Sequence, residues 1–277
     1  MYDADLLKPN AIDMLKDNFL RNIQHEILTG TLNTTPKNAH AQFVSQFNYY
    51  VTHNSGFKLN NIDQFTNKEV IIGCHHYLDG LLIKHGKDLQ VLEHDYSYYN
   101  KLMPNRKWSL PGKLEPNKPL VIATPFPGYL GLHPQYHEIL NEAQEKNIPV
   151  HLDGAWLSCS KNIEIDVSHT SIASIGISLS KGYAASWNRI GVRYTKIQDP
   201  TDPITIYNRV NMCPDSCVIN GILLLENIPM DYMWNTYGDA YYKAVEQFNL
   251  VKGNILFAAY GKDRIIYSLS KLLTHDR

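Results

Sequence analysis

Pro149-Val150-His151-Leu152-Asp153-Gly154-Ala155-Trp156 decides the fold when taken together with Ile172-Ala173-Ser174-Ile175-Gly176-Ile177-Ser178-Leu179-Ser180-Lys181. Each is a short, largely apolar run that ends on residues able to do chemistry: Asp153 in the first, Ser178 and Lys181 in the second. Continuous apolar runs of this length suit strands that are covered on both faces. Working outward, Glu69-Val70-Ile71-Ile72, Leu89-Gln90-Val91-Leu92-Glu93, Leu120-Val121-Ile122-Ala123 and Ile190-Gly191-Val192-Arg193-Tyr194 read as further strands. Helical segments separate them, from His75 to His85 and from His133 to Lys146, the second with Pro134 at its second position, where Pro is favoured. This alternation predicts an α/β fold in three layers, a mostly parallel sheet with helices on both faces. Ligands in such sheets sit beyond the carboxyl ends of the strands. Gly73-Cys74-His75, Asp95-Tyr96, Thr124, Asp153 and Ser178 to Lys181 are therefore expected along one edge.

The flanks divide the chain into three parts. Residues 1–60 are expected to be helical, with an apolar stripe of Ile12, Leu15, Phe19, Leu20, Ile23 and Ile27 between Ala11 and Leu28, and an aromatic-rich run from Ala41 to Val51. Residues 61–200 hold the sheet. Residues 201–277 continue with helices from Val218 to Leu225 and from Tyr232 to Leu250, then a strand-like Ile255-Leu256-Phe257-Ala258-Ala259, and form a small C-terminal region.

Of the 277 residues 44% are hydrophobic and 19% charged, which is enough apolar material for a buried core. A net charge of -1 gives no reason to expect nucleic acid or an acidic membrane as partner. No stretch approaches the roughly 20 apolar residues of a membrane span, and Met1 to Asp5 does not open a secretory signal. Four scattered cysteines do not make a disulfide framework. Cys213 and Cys217 lack a second ligand pair, and adjacent His75 and His76 point apart, so no metal site is expected. A cytoplasmic protein with reduced thiols is the expectation.

Lys181 follows an apolar strand, where partial desolvation lowers an amine's pKa and makes it a nucleophile toward an aldehyde. Taken alone, it also reads as a solvated loop lysine. Arg189 stands eight positions on and can clamp a phosphate bidentately. Asp153 at its strand end can pair with a ring nitrogen, although Asp-Gly is also a common turn.

Together, Asp153-Gly154-Ala155-Trp156, Ser178-Leu179-Ser180-Lys181 and Arg189-Ile190-Gly191 resemble the pyridoxal-phosphate-dependent aminotransferases of class I/II, fold type I. The resemblance runs from about residue 68 to 196. It implies that Lys181 forms a Schiff base with pyridoxal 5'-phosphate and carries the proton, while Asp153 pairs with the pyridine nitrogen. Ser178 and Arg189 would bind the phosphate, helped by the helix start at Cys74 and His75, since helix N-termini favour anions. Tyr96 would stack on the cofactor ring; its other reading is a core tyrosine. Arg264, in a strand-like Lys262-Asp263-Arg264-Ile265-Ile266-Tyr267, would hold the substrate carboxylate; its other reading is an ordinary strand start.

Two positions depart from the family pattern. Thr124-Pro125 stands where the family has Asn-Pro, and Trp156 stands where it has Tyr, so neither usual partner of the cofactor's phenolic oxygen is present. The implied function is transamination between a small amino acid and a 2-oxo acid, in a homodimer. A lyase or decarboxylase of the same fold is one alternative, and a non-catalytic cofactor- or partner-binding homologue is the other.

Overall fold

A computed structural model describes residues 7–9, 17–31, 38–99 and 108–273. The chain opens with strand β1 (Lys8–Pro9), helix α1 (Asn18–Thr31), helix α2 (Ala39–His53) and strand β2 (Phe57–Asn60). The expected helical residues 11–16 lie outside the described residues. There follow β3 (Asn67–Ile71), α3 (Gly73–His85), β4 (Gln90–Val91), β5 (Leu120–Ala123), α4 (Tyr136–Glu145), β6 (Val150–Gly154) and β7 (Ile163–Asp166). The sheet is completed by β8 (Ile172–Ser178) and β9 (Gly191–Thr195), after which come α5 (Pro203–Arg209), α6 (Asp215–Asn227) and α7 (Tyr232–Gln247). Three short strands end the described chain, β10 (Val251–Lys252), β11 (Ala258–Tyr260) and β12 (Ile266–Ser268).

The main sheet has six strands in the order β3-β9-β8-β6-β5-β4. Strands β4, β5, β6 and β8 pair in parallel, and β9 runs against both of its neighbours. The mostly parallel sheet follows from the apolar runs: β5, β6 and β9 are buried at every residue, as strands covered on both faces must be. Successive side chains feed opposite layers. Val121 packs with Tyr77, Leu78 and Leu81 of α3 and with Ile204 of α5. Its neighbours Leu120 and Ile122 join the larger core on the other face, with Phe43 and Phe47 of α2, Val218 of α6 and Ile139 of α4. The result is the three-layer α/β arrangement.

Two expectations are corrected. The helix read from His133 begins only at Tyr136, with Pro134 in the preceding turn. The His133 ring accepts the Gln135 N–H at 3.1 Å and the His133 carbonyl accepts the Tyr136 N–H at 2.9 Å, so a turn takes up the groups that would have started the helix. The strand read over Ile255 to Ala259 begins at Ala258. Ile255, Leu256 and Phe257 are fully buried; Ile255 makes a single antiparallel bridge with Ser160 and the next two residues form a turn, so the apolar run has strand composition without a continuous ladder.

The C-terminal part is a four-stranded antiparallel sheet in the order β1-β12-β11-β10. Its outer strand comes from the beginning of the chain, pairing Lys8 with Ser268 and Pro9 with Tyr267. A separate parallel pair, β2 with β7, was not legible beforehand. Among the described residues no helix is long and apolar enough to cross a membrane.

Candidate active site

Strand direction brings the chemistry to one edge. The carboxyl ends of β3, β5, β6 and β8 face the same side. Because β9 runs the other way, its first residue arrives there: Gly191 lies opposite both Ser178 and Ile71. The segment before β9, which carries Arg189, therefore meets both the start of α3 and the end of β8. A cavity of about 730 Å³ opens at this edge.

Nine of the ten residues nominated from sequence line that cavity: Cys74 and His75 from α3, Tyr96, Asp153 and Trp156, Ser178, Lys181 and Arg189, and Arg264. Thr124 does not. It is 2% exposed, its hydroxyl reaches only the Ile122 carbonyl at 3.5 Å, and its N–H donates to the Asp153 carbonyl at 2.8 Å. That backbone bond continues the β5–β6 ladder and leaves the next residue, Pro125, to line the cavity.

Lys181 is half-buried and makes no hydrogen bond or ion pair with any described residue. Burial draws its amine below the ordinary lysine range, and the Arg189 guanidinium adds to the shift. Asp153 is 3% exposed. Its Oδ1 accepts the Ala155 N–H at 3.0 Å and its Oδ2 accepts the Tyr99 hydroxyl at 3.4 Å. Burial nevertheless pushes its carboxyl up to about 6. Asp95 is buried beside it, holding the N–H groups of Tyr96 and Ala123 at 2.6 and 3.1 Å, and burial raises it to about 7. The Cys74 thiol donates to the Gly176 carbonyl at 3.5 Å, and burial holds it well above the usual thiol range, so it stays protonated.

At the other end of the cavity the start of α3 forms a cradle. Gly73 has φ +69°, and a Cβ there would stand 3.2 Å from Ser180 Oγ and 3.3 Å from Arg189 Cβ. Ser180 Oγ is buried without a hydrogen-bond partner among the described residues, which is unusual for a buried polar atom. Arg189 donates through Nε to the Ser186 carbonyl at 3.1 Å and through Nη1 to His75 Nδ1 at 2.7 Å, leaving Nη2 unused among the described residues. An unpaired hydroxyl, a guanidinium edge and a helix N-terminus converging on one spot suit a phosphate-like anion.

Ser180 was not singled out from sequence. Its signal is spatial, since it is lodged between Ser178 and Lys181 in the chain but answers Gly73. Arg264, expected in a strand-like context, occupies a turn instead, with φ +64°. The turn is closed by Gly261 N–H to the Ile265 carbonyl at 2.7 Å and Ile265 N–H to Asp263 Oδ1 at 3.0 Å. Its exposed guanidinium stands at the cavity wall with Ile266. Trp156 forms another wall, edge-on to Phe257 with ring centres 5.7 Å apart. Among the described residues no cluster of three His, Cys, Asp or Glu is placed to hold a metal.

No family model and no curated protein sequence matches the chain. Solved structures do. An alanine aminotransferase from Pyrococcus furiosus matches with a TM-score of 0.61 at 17% identity, covering 90% of this chain and 73% of that one. A tyrosine aminotransferase from Leishmania infantum matches with a TM-score of 0.62 at 11% identity, over 94% of this chain and 88% of its own. A PLP-bound C-S lyase from Staphylococcus hominis matches with a TM-score of 0.61 at 13% identity, over 98% and 88%. What the chain shares with them is the fold, and that fold is the fold type I of the aminotransferases, here with a small C-terminal sheet.

Proposed function

We propose that the protein is a pyridoxal-phosphate-dependent aminotransferase acting on an amino acid and a 2-oxo acid. The observation that carries this reading is Lys181, unpartnered among the described residues, which lines one cavity together with the buried Asp153 and the Gly73–Ser180–Arg189 cradle. These residues fit the cofactor. The orphaned Ser180 hydroxyl, the free Arg189 Nη2 and the α3 N-terminus would hold its phosphate, Asp153 its ring nitrogen, and Lys181 its aldehyde carbon. When bound, the cofactor supplies an electron sink for the substrate carbon that loses a proton.

The chain's own residues do the rest. Lys181, with its amine pulled below the usual range, can take a proton from a carbon and return it near neutral pH. Asp153 stays ionised beside a cation, because the Ala155 N–H and the Tyr99 hydroxyl hold its two oxygens in place. Arg264 receives the substrate carboxylate. Trp156 and Pro125 exclude water on the cavity wall. The reading includes a homodimer in the cytoplasm. Trp187, 80% exposed and two residues from Arg189, supports a second copy covering that rim, and four free buried thiols suit a reducing compartment.

A lyase of this fold would use the same lysine, aspartate and cradle, and the displacement of Thr124 from the cavity keeps that second reading open. The test is borohydride reduction of protein incubated with the cofactor, followed by peptide mapping. The label is expected on Lys181 and is absent in Lys181→Ala. Incubation with amino acids and 2-oxoglutarate should then yield glutamate; carbon dioxide or pyruvate without glutamate would overturn transamination in favour of the lyase.

A further inference from the structure

His75 lines the cavity without facing it as a free ligand, because both of its ring nitrogens are engaged. Nδ1 lies 2.7 Å from Arg189 Nη1 and Nε2 lies 3.3 Å from Tyr96 Oη. The ring stands edge-on to Tyr98, with centres 4.6 Å apart, and Tyr98 itself donates to Asp79 at 3.3 Å. These contacts leave little choice of tautomer. A guanidinium has only donors, so Nδ1 must be bare and accept. A neutral imidazole then carries its single hydrogen on Nε2, and that hydrogen points at Tyr96 Oη. Burial, with the Arg189 charge beside it, lowers the pKa of His75 and keeps the ring neutral at pH 7. The Tyr96 oxygen is thus occupied as an acceptor. Its own O–H hydrogen has no acceptor among the described residues and faces the cavity.

We propose that His75 is a positioning residue of this site: it fixes the Arg189 guanidinium and commits Tyr96 to donate its hydroxyl hydrogen to an anionic oxygen of the molecule bound in the cavity. The proposal rests on the function proposed above only for the identity of that molecule. The shared chemistry is a negatively charged oxygen, either one of the cofactor (its phosphate or its phenolate) or a carboxylate on the substrate. With the His75 N–H already on its oxygen, Tyr96 offers its hydroxyl hydrogen to the cavity, and a hydrogen bond from that O–H is strongest to an anionic oxygen.

The first test needs no ligand. Nitrogen-15 NMR of histidine-labelled protein, with His75 assigned by its loss in His75→Gln, is expected to show the Nε2–H tautomer at pH 7.5. An Nδ1–H tautomer or a doubly protonated ring overturns the proposal, whatever the protein proves to bind. The second test measures the dissociation constant for pyridoxal phosphate by fluorescence, and KM for an amino acid. His75→Phe is expected to weaken one of the two about tenfold, as loss of a charge-assisted hydrogen bond would. Tyr96→Phe is expected to weaken the same one.

The double variant should be no worse than the weaker single within about threefold, because both changes break one chain of bonds. His75→Gln, which keeps an N–H at the Nε2 position, should recover the Tyr96 share, and His75→Asn, which keeps an acceptor at the Nδ1 position, should not. In Tyr96→Phe, which leaves the His75–Arg189 contact in place, a change in cofactor affinity assigns the oxygen to the cofactor, and a change confined to KM assigns it to the substrate. Folded His75→Phe and Tyr96→Phe proteins that match the parent in both constants overturn the proposal. Failure of every variant and of the parent to bind cofactor overturns the function proposed above instead.

Discussion

Gly73 and Ser180 come from different elements, yet a Cβ on Gly73 would stand 3.2 Å from Ser180 Oγ, with Arg189 Cβ at 3.3 Å on its other side. The backbone of Gly73 also lies in the left-handed region, at φ +69°. Gly73→Ala therefore meets both crowding and strain, together costing about 1–2 kcal/mol. The variant is expected to fold, to melt a few degrees lower, and to bind pyridoxal phosphate at least about tenfold more weakly. Thermal melts and equilibrium dialysis check this. Unchanged affinity would remove the turn from the binding site.

Ser180→Ala should behave in the opposite way without ligand. A buried hydroxyl with no partner carries a desolvation cost that its removal relieves. The unliganded variant should therefore be as stable as the parent or slightly more so. Its affinity for inorganic phosphate should fall about fivefold, the equivalent of roughly 1 kcal/mol for one hydrogen bond. Calorimetric titration with phosphate measures it, and a loss of stability without a loss of affinity would make Ser180 a packing residue only.

The contrast between Ser180 and Ser178 shows what the sequence could convey. Strands β5, β6, β8 and β9 are legible because burial on both faces favours largely apolar runs, and residues at their ends inherit a position from the sheet alone. Ser180 was not, since its partner Gly73 is remote in the chain and meets it only through the pairing of Gly191 with both Ser178 and Ile71. The small C-terminal sheet was illegible for a related reason. Strands of two or three residues carry no periodicity, and β1, from the other end of the chain, supplies its edge. Arg264 was placed near a strand correctly but in the wrong conformation, because an apolar alternation after it gives no sign of the Asp263-capped turn. Thr124 is expected at the site from its place after β5 and from Thr124-Pro125 standing where the family has Asn-Pro; its hydroxyl lies 3.5 Å from the Ile122 carbonyl of that strand.

Asp153 links stability to pH. Its carboxyl titrates at about 6 in the folded protein against an ordinary value of 3.8. The folded state thus holds the proton more tightly, so this group's contribution is complete below about pH 4 and is lost as pH rises through about 6. Asp153→Asn does not titrate. Its melting temperature relative to the parent, both without cofactor, should climb between pH 4 and 6 and level off above. A difference that is flat across this range would refute the raised carboxyl. The same variant should trap far less cofactor at Lys181, since the charge that pairs with a ring cation is gone.

Arg264 offers a way to separate substrate binding from folding. A non-glycine residue at φ +64° is strained, so Arg264→Gly should leave stability unchanged or raise it by about 0.5–1 kcal/mol. Arg264 is exposed, and its charge reaches the Tyr260 side chain, so only a weak contact in the fold depends on it. If it holds the substrate carboxylate, KM for the amino acid should rise about tenfold or more, in keeping with loss of a bidentate charge-assisted contact. Arg264→Lys keeps the charge but loses the fork and should fall between the two. Borohydride labelling of Lys181 by the cofactor should be the same in all three proteins, because Arg264 contributes nothing to the phosphate cradle. Steady-state kinetics, melts and peptide mapping together decide it. A stable Arg264→Gly protein with an unaltered KM would place the carboxylate elsewhere on the cavity wall.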